Sequence, residues 1–402
     1  MHNCAGIIAE YNPFHNGHRY QLEETRRLTG CWFVAVVMSG SFVQRGEVAM
    51  FDKYSRTKWA LQNGADLVLQ LPTAYACATA ERFAQGAVRI LGGTGIVDAL
   101  CFGSESGDVD AVKRMAQLST EETEQHKQTL STHLKQGFSF PSARARALAE
   151  HHGGQFHEAL SQPNDILGIE YIKAIDRYAP QITPYAIKRI GAAHDAALSC
   201  GSIASASALR RSILENDQNT LSACLPESVS IDVFRLLSEG GAPYAQSRLS
   251  DAILYALRRM SRKELSSLPD VSEGLENVLY RGAREAESYD ELLLRIKTKR
   301  YTLARLRRIL IYALLGVQEE IYKDALPYIR VLGVKQSALS LLGALGEKAT
   351  LPVVTRFSDA STLRQGAKRL HDIDLLAADV APLALPLKKA AAFDFSTKLI
   401  IV

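Results

Sequence analysis

The feature that most constrains this chain is the alternation, over its first 190 residues, of short apolar runs with amphipathic segments. Cys4–Ala9, Trp32–Met38, Ala65–Leu71 and Ile96–Phe102 are β-prone, largely apolar runs, and Tyr185–Ile190 is one more plausible strand. Helical patterns lie between them at Gly17–Leu28, Lys53–Asn63 and Glu81–Leu91, and a mainly helical stretch runs from Asp108 to Arg177. Strands buried on both faces and joined through helices predict an α/β fold, a parallel sheet covered by helices. Ser205–Leu214 reads as a further helix, and beyond about residue 215 the strand signal fades. Helical periods then dominate, at Ser250–Met260, Tyr289–Ile296, Leu303–Leu314 and Gln318–Asp324. At 402 residues the chain exceeds one ordinary core. The polar break Asn216-Asp217-Gln218-Asn219 therefore divides it into an α/β domain, residues 1–215, and a mainly α-helical domain, residues 216–402.

Composition narrows the class. The formal charge of +4 permits a polyanionic partner without demanding one. Six cysteines, at 4, 31, 77, 101, 200 and 224, form no CxxC pair and have no zinc-like spacing to histidine. They read as small apolar residues of a reducing compartment, with no metal site. No charged segment followed by an apolar run opens the chain, and no apolar stretch approaches the ~18 residues a membrane span needs. The expected location is the cytoplasm, with no membrane partner.

The chemistry concentrates where the first apolar run ends, in Gly6-Ile7-Ile8-Ala9-Glu10-Tyr11-Asn12-Pro13-Phe14-His15-Asn16-Gly17-His18. A strand delivers a turn, and the turn delivers a helix N-terminus. His15 and His18, three apart, face the same way there. Gly17 leaves room for a nucleotide against the backbone. The unpaired N–H groups and positive end of the helix suit phosphate oxygens. Two imidazoles can donate hydrogen bonds to charge developing on an α-phosphate, so catalysis is positioning and electrostatic stabilisation without a covalent intermediate. Two metal ligands, or ordinary cap residues, are the competing readings of an HxxH pair. A Walker loop is absent at this turn. A second segment, Gly201-Ser202-Ile203-Ala204-Ser205-Ala206-Ser207-Ala208-Leu209-Arg210-Arg211, offers a capping Ser205, a phosphate-reaching Ser207 and Arg210 a turn later. From that segment alone a plain Ser-capped helix with solvent-facing arginines is the stronger reading; paired with HxGH in this order, the phosphate reading gains the advantage. Arg45, Lys53, Arg56 and Lys58 follow the second strand, and either meet pyrophosphate or RNA or form a solvated face.

In this order the two elements resemble the HxGH nucleotidyltransferase superfamily, which has a Rossmann-like domain. More narrowly, the chain resembles the bacterial tRNA(Met) cytidine acetate ligase family. That likeness also rests on Met38-Ser39-Gly40-Ser41-Phe42-Val43-Gln44-Arg45-Gly46-Glu47, Phe102-Gly103-Ser104-Glu105 and Pro163-Asn164-Asp165-Ile166-Leu167-Gly168. Lys188-Arg189 and Lys297-Thr298-Lys299-Arg300-Tyr301-Thr302 complete it. The resemblance implies ATP binding by Ile7-Ile8-Ala9-Glu10-Tyr11-Asn12-Pro13-Phe14-His15-Asn16-Gly17-His18-Arg19-Tyr20, Gly103, Asn164, Lys188 and Arg189. Acetate would attack the α-phosphate to give acetyl-adenylate, and the acetyl group would pass to the exocyclic amine of the wobble cytidine of elongator tRNA(Met). Mg²⁺ would arrive with ATP, held mainly by its phosphates. The family pattern usually carries a second Asn where this chain has Asp165, a carboxylate unfavourable near phosphates. After about Thr350 the match is less sharp.

For RNA the relevant stretch holds Arg295, Lys297, Lys299, Arg300, Arg305, Arg307 and Arg308, with Tyr301 among them. Of these, Lys297, Lys299, Arg300, Arg305 and Arg308 are the candidate tRNA contacts, suited to backbone phosphates and one stacking contact. A solvated helix face paired with Glu291, Glu319 and Glu320 is the alternative. Arg258, Arg259, Arg262 and Lys263 form a weaker cluster. Two rival functions share the same sequence features: adenylyl transfer to a small molecule, and non-catalytic RNA binding.

Overall fold

The computed structural model describes residues 3–120, 124–138, 140–152, 162–190, 202–324 and 326–402. Cys200 and Gly201, named above, lie outside the described residues. The expected strands form at β1 (Cys4–Ala9), β2 (Phe33–Ser39), β5 (Leu67–Leu71), β6 (Val97–Ser104) and β7 (Thr183–Lys188). Between β2 and β5 a short antiparallel hairpin intervenes, β3 (Phe42–Val43) with β4 (Glu47–Val48). Five strands pair in parallel in the order β5-β2-β1-β6-β7, with Ile7 opposite Val36 on one side and Cys101 on the other. From β1 the chain winds outward through β2 and β5, then reverses through β6 and β7. The carboxyl ends of β1 and β6 thus border the crevice where ligands bind in open α/β sheets.

Side-chain alternation builds a core on each face. Val34, Val36 and Met38 of β2 join one apolar cluster with Leu22, Trp59 and Val68. Ala35 and Val37 join the other, with Leu67, Leu69 and Leu100. The helices Asn16–Thr29 and Lys53–Gln62 contribute to the first face; Ala80–Gly93 and Pro163–Tyr178 cover the second.

The fading of the strand signal after residue 215 does not hold to the end. β8 (Ile329–Val334) pairs antiparallel with β5, and β9 (Val353–Val354) and β10 (Ile400–Ile401) pair with β8, making an eight-stranded sheet. All six residues of β8 are buried. A single central run, flanked by helices in sequence, carries no alternating pattern to announce it. Sheet and second-face core therefore cross the 215/216 division: Leu306, Ile309, Leu310 and Val331 pack in the same cluster as Leu67 and Leu69. No described helix is long and apolar enough to cross a membrane.

Of the basic residues after β2, Arg45 is exposed and lines the cleft described below, whereas Lys53 and Arg56 are buried and Lys58 is ion-paired. Arg56 is fully buried, donating to the carbonyls of Phe51 (3.0 Å), Glu10 (2.7 Å), Ser39 (2.9 Å) and Gly40. Lys53 is buried against Asp394 (2.6 Å) and Gln70 (2.9 Å), while Lys58 reaches Asp232 (2.8 Å). Leaving a buried carbonyl without a donor costs ~1–3 kcal/mol. Arg56→Met should therefore lower stability by about 3 kcal/mol or more in urea unfolding. Lys58→Met, losing an ammonium that is 41% exposed, should stay within about 1 kcal/mol. Equal losses would show that the carbonyls do not depend on the guanidinium.

Candidate active site

The site begins where β1 ends. Tyr11 takes a left-handed backbone (φ 50°) and buries its ring edge-on to Phe14 and His18, each centroid 4.8 Å away. The Asn12–Pro13 peptide is cis, and Asn12 Oδ1 accepts the Met50 N–H at 2.8 Å. His15 then caps the helix Asn16–Thr29: its Nδ1 accepts the Gly17 N–H (3.1 Å), and His18 Nδ1 accepts the His15 N–H (3.3 Å). Two imidazoles thus replace the Ser and Glu of an ordinary capping box. Because both Nδ1 atoms are acceptors, each neutral ring carries its proton on Nε2. A Cβ on residue 17 would stand 2.9 Å from His15 Cε1, so the space at Gly17, expected to serve a nucleotide, goes to the His15 ring instead.

The two rings stack at 3.7 Å with a 26° tilt. Burial, helped by the Arg189 charge, lowers the His15 pKa to about 3. Burial, then the His15 ring and Arg189, hold His18 well below the ordinary imidazole range. Both are therefore neutral at physiological pH and act as Nε2–H donors, not as cations.

Two further walls complete the cleft. At the end of β6, Arg189 Nη1 donates to Asn164 Oδ1 (3.0 Å), and Asn164 Nδ2 donates to Glu105 Oε1. Asp165 turns away from the cleft: its Oδ1 accepts from Ser104 Oγ (2.5 Å) and the Glu105 N–H (3.1 Å). Burial raises its pKa, opposed by the Ser104 hydrogen bond. Its carboxylate thus staples the helix Pro163–Tyr178 to β6, with no nucleotide contact to spoil. On the third side Ser205 caps the helix Ala206–Glu215, and Arg210 bridges Ser207 Oγ (3.2 Å) to the Asn12 carbonyl (3.0 Å).

These walls enclose a cleft with about 1760 Å³ of free space, its mouth included. Of the residues expected at the nucleotide, Ile8, Ala9, Glu10, Tyr11, Asn12, His15, Gly17, His18 and Tyr20 line it. So do Gly103, Asn164, Lys188, Arg189, Ser205, Ser207 and Arg210. Ile7, Pro13, Phe14, Asn16 and Arg19 do not. Ile7 and Phe14 are core, and Pro13 is buried in the turn. Asn16 Nδ2 donates to the carbonyls of Ser202 and Ala223, both at 3.1 Å, and Arg19 pairs with Glu23 on the helix surface at 3.0 Å. Asn16 thus holds the turn against the segments that follow the cleft. Sequence reasoning missed the apolar wall made by Val43, Phe83, Phe102, Leu167 and Tyr171. At helix and strand positions such residues look like core, and no sequence signal separates the two.

The basic stretch after residue 294 divides. Lys299 and Arg300 are exposed, with no partner among the described residues. Lys297 Nζ donates to the Thr298 carbonyl (2.9 Å) and the Tyr301 carbonyl. Arg305 donates to the Asp270 carbonyl and Ser272 Oγ, its guanidinium 5.0 Å from the centre of the Tyr301 ring. Arg308 is a correction to the RNA set: its side chain is 11% exposed and turned inward, in an ion pair with Asp270 at 3.0 Å. Arg295 pairs with Glu285 and Glu291, and Arg307 with Glu47.

A histidine pair at a helix N-terminus, beside the switch point of a parallel sheet and ringed by cations, defines a nucleotidyltransferase-type site. The chain belongs to the HIGH Nucleotidyl Transferase family, whose model matches residues 1–394, and within it to the tRNA(Met) cytidine acetate ligases. It is 38% identical over 398 residues to the tRNA(Met) cytidine acetate ligase of Thermoanaerobacter sp. (strain X514), covering 98% of each chain. With the protein of the same name from Acetivibrio thermocellus it shares 39% identity over 412 residues, 99% of each. In structure it is similar to Thermotoga maritima TmcAL bound with alpha-thio ATP, at a TM-score of 0.91 and 33% identity over 99% of both chains.

The depressed histidines have a stability consequence. Below the unfolded value of about 6.5, the unfolded chain takes up protons that the folded chain refuses. Stability is therefore full above that pH and falls as pH drops from there towards about 3, where His15 protonates in the folded protein. A His15→Asn/His18→Asn double variant should flatten the fall of the thermal midpoint between about pH 6.5 and 4. A slope as steep as wild type would mean that the folded histidines titrate normally.

Proposed function

We propose that this chain is an ATP-dependent tRNA(Met) cytidine acetate ligase, making a carbon–nitrogen bond on tRNA by way of acetyl-adenylate. The observation that carries the reading is the pair of neutral, stacked imidazoles whose Nε2–H groups serve a cleft also lined by Lys188, Arg189 and Arg210. A carboxylate oxygen of acetate attacks the α-phosphorus of ATP. His15 and His18 donate to the oxygens that gain charge, and pyrophosphate leaves towards Ser205, Ser207 and Arg210. Mg²⁺ enters with ATP, carried on its phosphates. The exocyclic amine of the wobble cytidine then displaces AMP from the acetyl carbon. Cys4, Cys77 and Cys101 do not support a covalent thiol route: burial pushes their thiols up to about 12.

In this reading residues 1–215 carry the adenylation chemistry in the cytoplasm. Residues 216–402 take elongator tRNA(Met), with Lys297, Lys299, Arg300 and Arg305 towards its backbone.

The test is acetate-dependent exchange of labelled pyrophosphate into ATP, followed by tRNA acetylation. Wild-type protein should exchange only with acetate present, and His18→Ala should lose at least about 100-fold. Exchange that ignores acetate would move the reading to adenylyl transfer onto another acceptor. For the RNA face, a Lys299→Glu/Arg300→Glu variant should acetylate subsaturating tRNA more slowly. Its tRNA binding should also depend less steeply on salt, by about one unit of slope for each phosphate it no longer neutralises. An unchanged slope would remove these residues from the interface.

A further inference from the structure

One arm of the cleft carries a carboxylate, a group unsuited to contact with phosphate. Glu10 lies one residue beyond β1 and lines the same cleft as His15 and His18. Its backbone carbonyl is fixed by Arg56 Nη1 (2.7 Å), and its Oε1 by the Gln44 N–H (2.9 Å). Oε2 accepts no hydrogen bond from any described residue. Arg210 and Arg45 act on this carboxylate, and the wall of the same cleft carries Phe83 and, from the helix Pro163–Tyr178, Leu167 and Tyr171. Tyr171 is buried, and burial together with the nearby Glu10 carboxylate raises its pKa, so its hydroxyl stays protonated.

Phosphates require cations and N–H donors, whereas an open carboxylate oxygen requires a donor from its ligand. A slot with apolar residues in its wall, one fixed acceptor and one phenolic donor suits a base whose edge presents an amine beside an acceptor. Cytosine has that edge: N4–H₂ is a donor and N3 an acceptor, while uracil reverses both. A single-stranded base can be splayed into such a slot.

We infer that this arm is the acceptor-base pocket, in which Glu10 receives the cytidine N4 amine and takes its proton during acetyl transfer, with Tyr171 donating to the pyrimidine edge. The inference rests on the ligase reading. In the step, the N4–C bond to the acetyl carbon forms and the C–O bond to the adenylate phosphate breaks. AMP departs as the phosphate anion, and the N4 proton passes to the Glu10 carboxylate, which returns it to solvent.

Two rates separate the roles: acetate-dependent pyrophosphate exchange, which needs no RNA, and acetylcytidine formation on tRNA at saturating ATP and acetate. For Glu10→Gln, the ratio of transfer to exchange should fall at least about 100-fold, and Glu10→Asp should recover part of it. Tyr171→Phe should lower the same ratio about 10-fold, and stands as the test if Glu10→Gln fails to fold. Parallel loss of both rates, or an unchanged ratio, would overturn the inference and place Glu10 with ATP or with the fold. Wild-type protein without acetate-dependent exchange would sink the ligase reading itself, an outcome read before any variant is compared.

Discussion

The guanidinium of Arg56 is the interaction on which the site depends. Where neighbouring parallel strands end and their connections diverge, carbonyls lose their ladder partners, and water is excluded from this part of the core. Arg56 supplies the missing donors to Glu10, Ser39, Gly40 and Phe51 together. It thereby ties the end of β1 to the end of β2 and to the start of its own helix. Burial lowers its pKa to about 10, so it still carries its charge at neutral pH. The turn from Glu10 to His15 departs from this fixed point. Its geometry is set before any ligand arrives, which is what electrostatic catalysis by positioned donors demands.

The second half of the chain serves the first. β8 extends the sheet beside β5, and Asp394, near the end of the chain, meets Lys53 (2.6 Å) and Tyr54 (2.9 Å) on the helix that carries Arg56. Asp374 accepts from the Thr73 N–H and the Tyr328 hydroxyl, both at 2.6 Å. Gly46, at φ 77°, lets the β3–β4 hairpin seat against the helix Leu303–Leu315, where a Cβ would stand 2.3 Å from the Arg308 nitrogen. That hairpin carries Gln44, which holds the Glu10 carboxylate, and Arg45, which lines the cleft. The second half of the chain is thus a buttress of the strands that carry the cleft.

Parts of this were legible in the sequence for reasons that are local. β1, β2, β5 and β6 are apolar on both faces, and the HxGH turn carries its chemistry within four residues. What was not legible depends on distant partners. Lys53, Arg56 and Lys58 have the spacing of a charged helix face, and nothing nearby in sequence reveals that Asp394, Asp232 and four carbonyls receive them. β8 sits among helices and lacks alternation because both its faces are buried. Arg308 looks like its exposed neighbours until Asp270, 38 residues away, is seen beside it. Asp165, ominous next to a phosphate, is harmless because Ser104 and Glu105 claim its oxygen.

The cleft brings unlike charges together. The repulsion of Arg189 helps keep the two histidines neutral, while Arg210, Arg45 and Arg56 act on the Glu10 carboxylate. In the proposed reaction, neutralising phosphate charge and donating directionally to the oxygens on the reacting phosphorus would fall to different residues. A second cation at the histidine positions would hold the departing pyrophosphate as firmly as the transition state, lowering the barrier less than it deepened the bound state. Glu10 keeps a carboxylate that burial renders more basic than an exposed one, opposed by the Gln44 N–H and by Arg210, Arg45 and Arg56. In the proposed reaction the cations serve a departing anion and the carboxylate a departing proton. Acyl transfer from an adenylate to an amine releases both, and the β1 turn, anchored by Arg56, carries the carboxylate and both histidines.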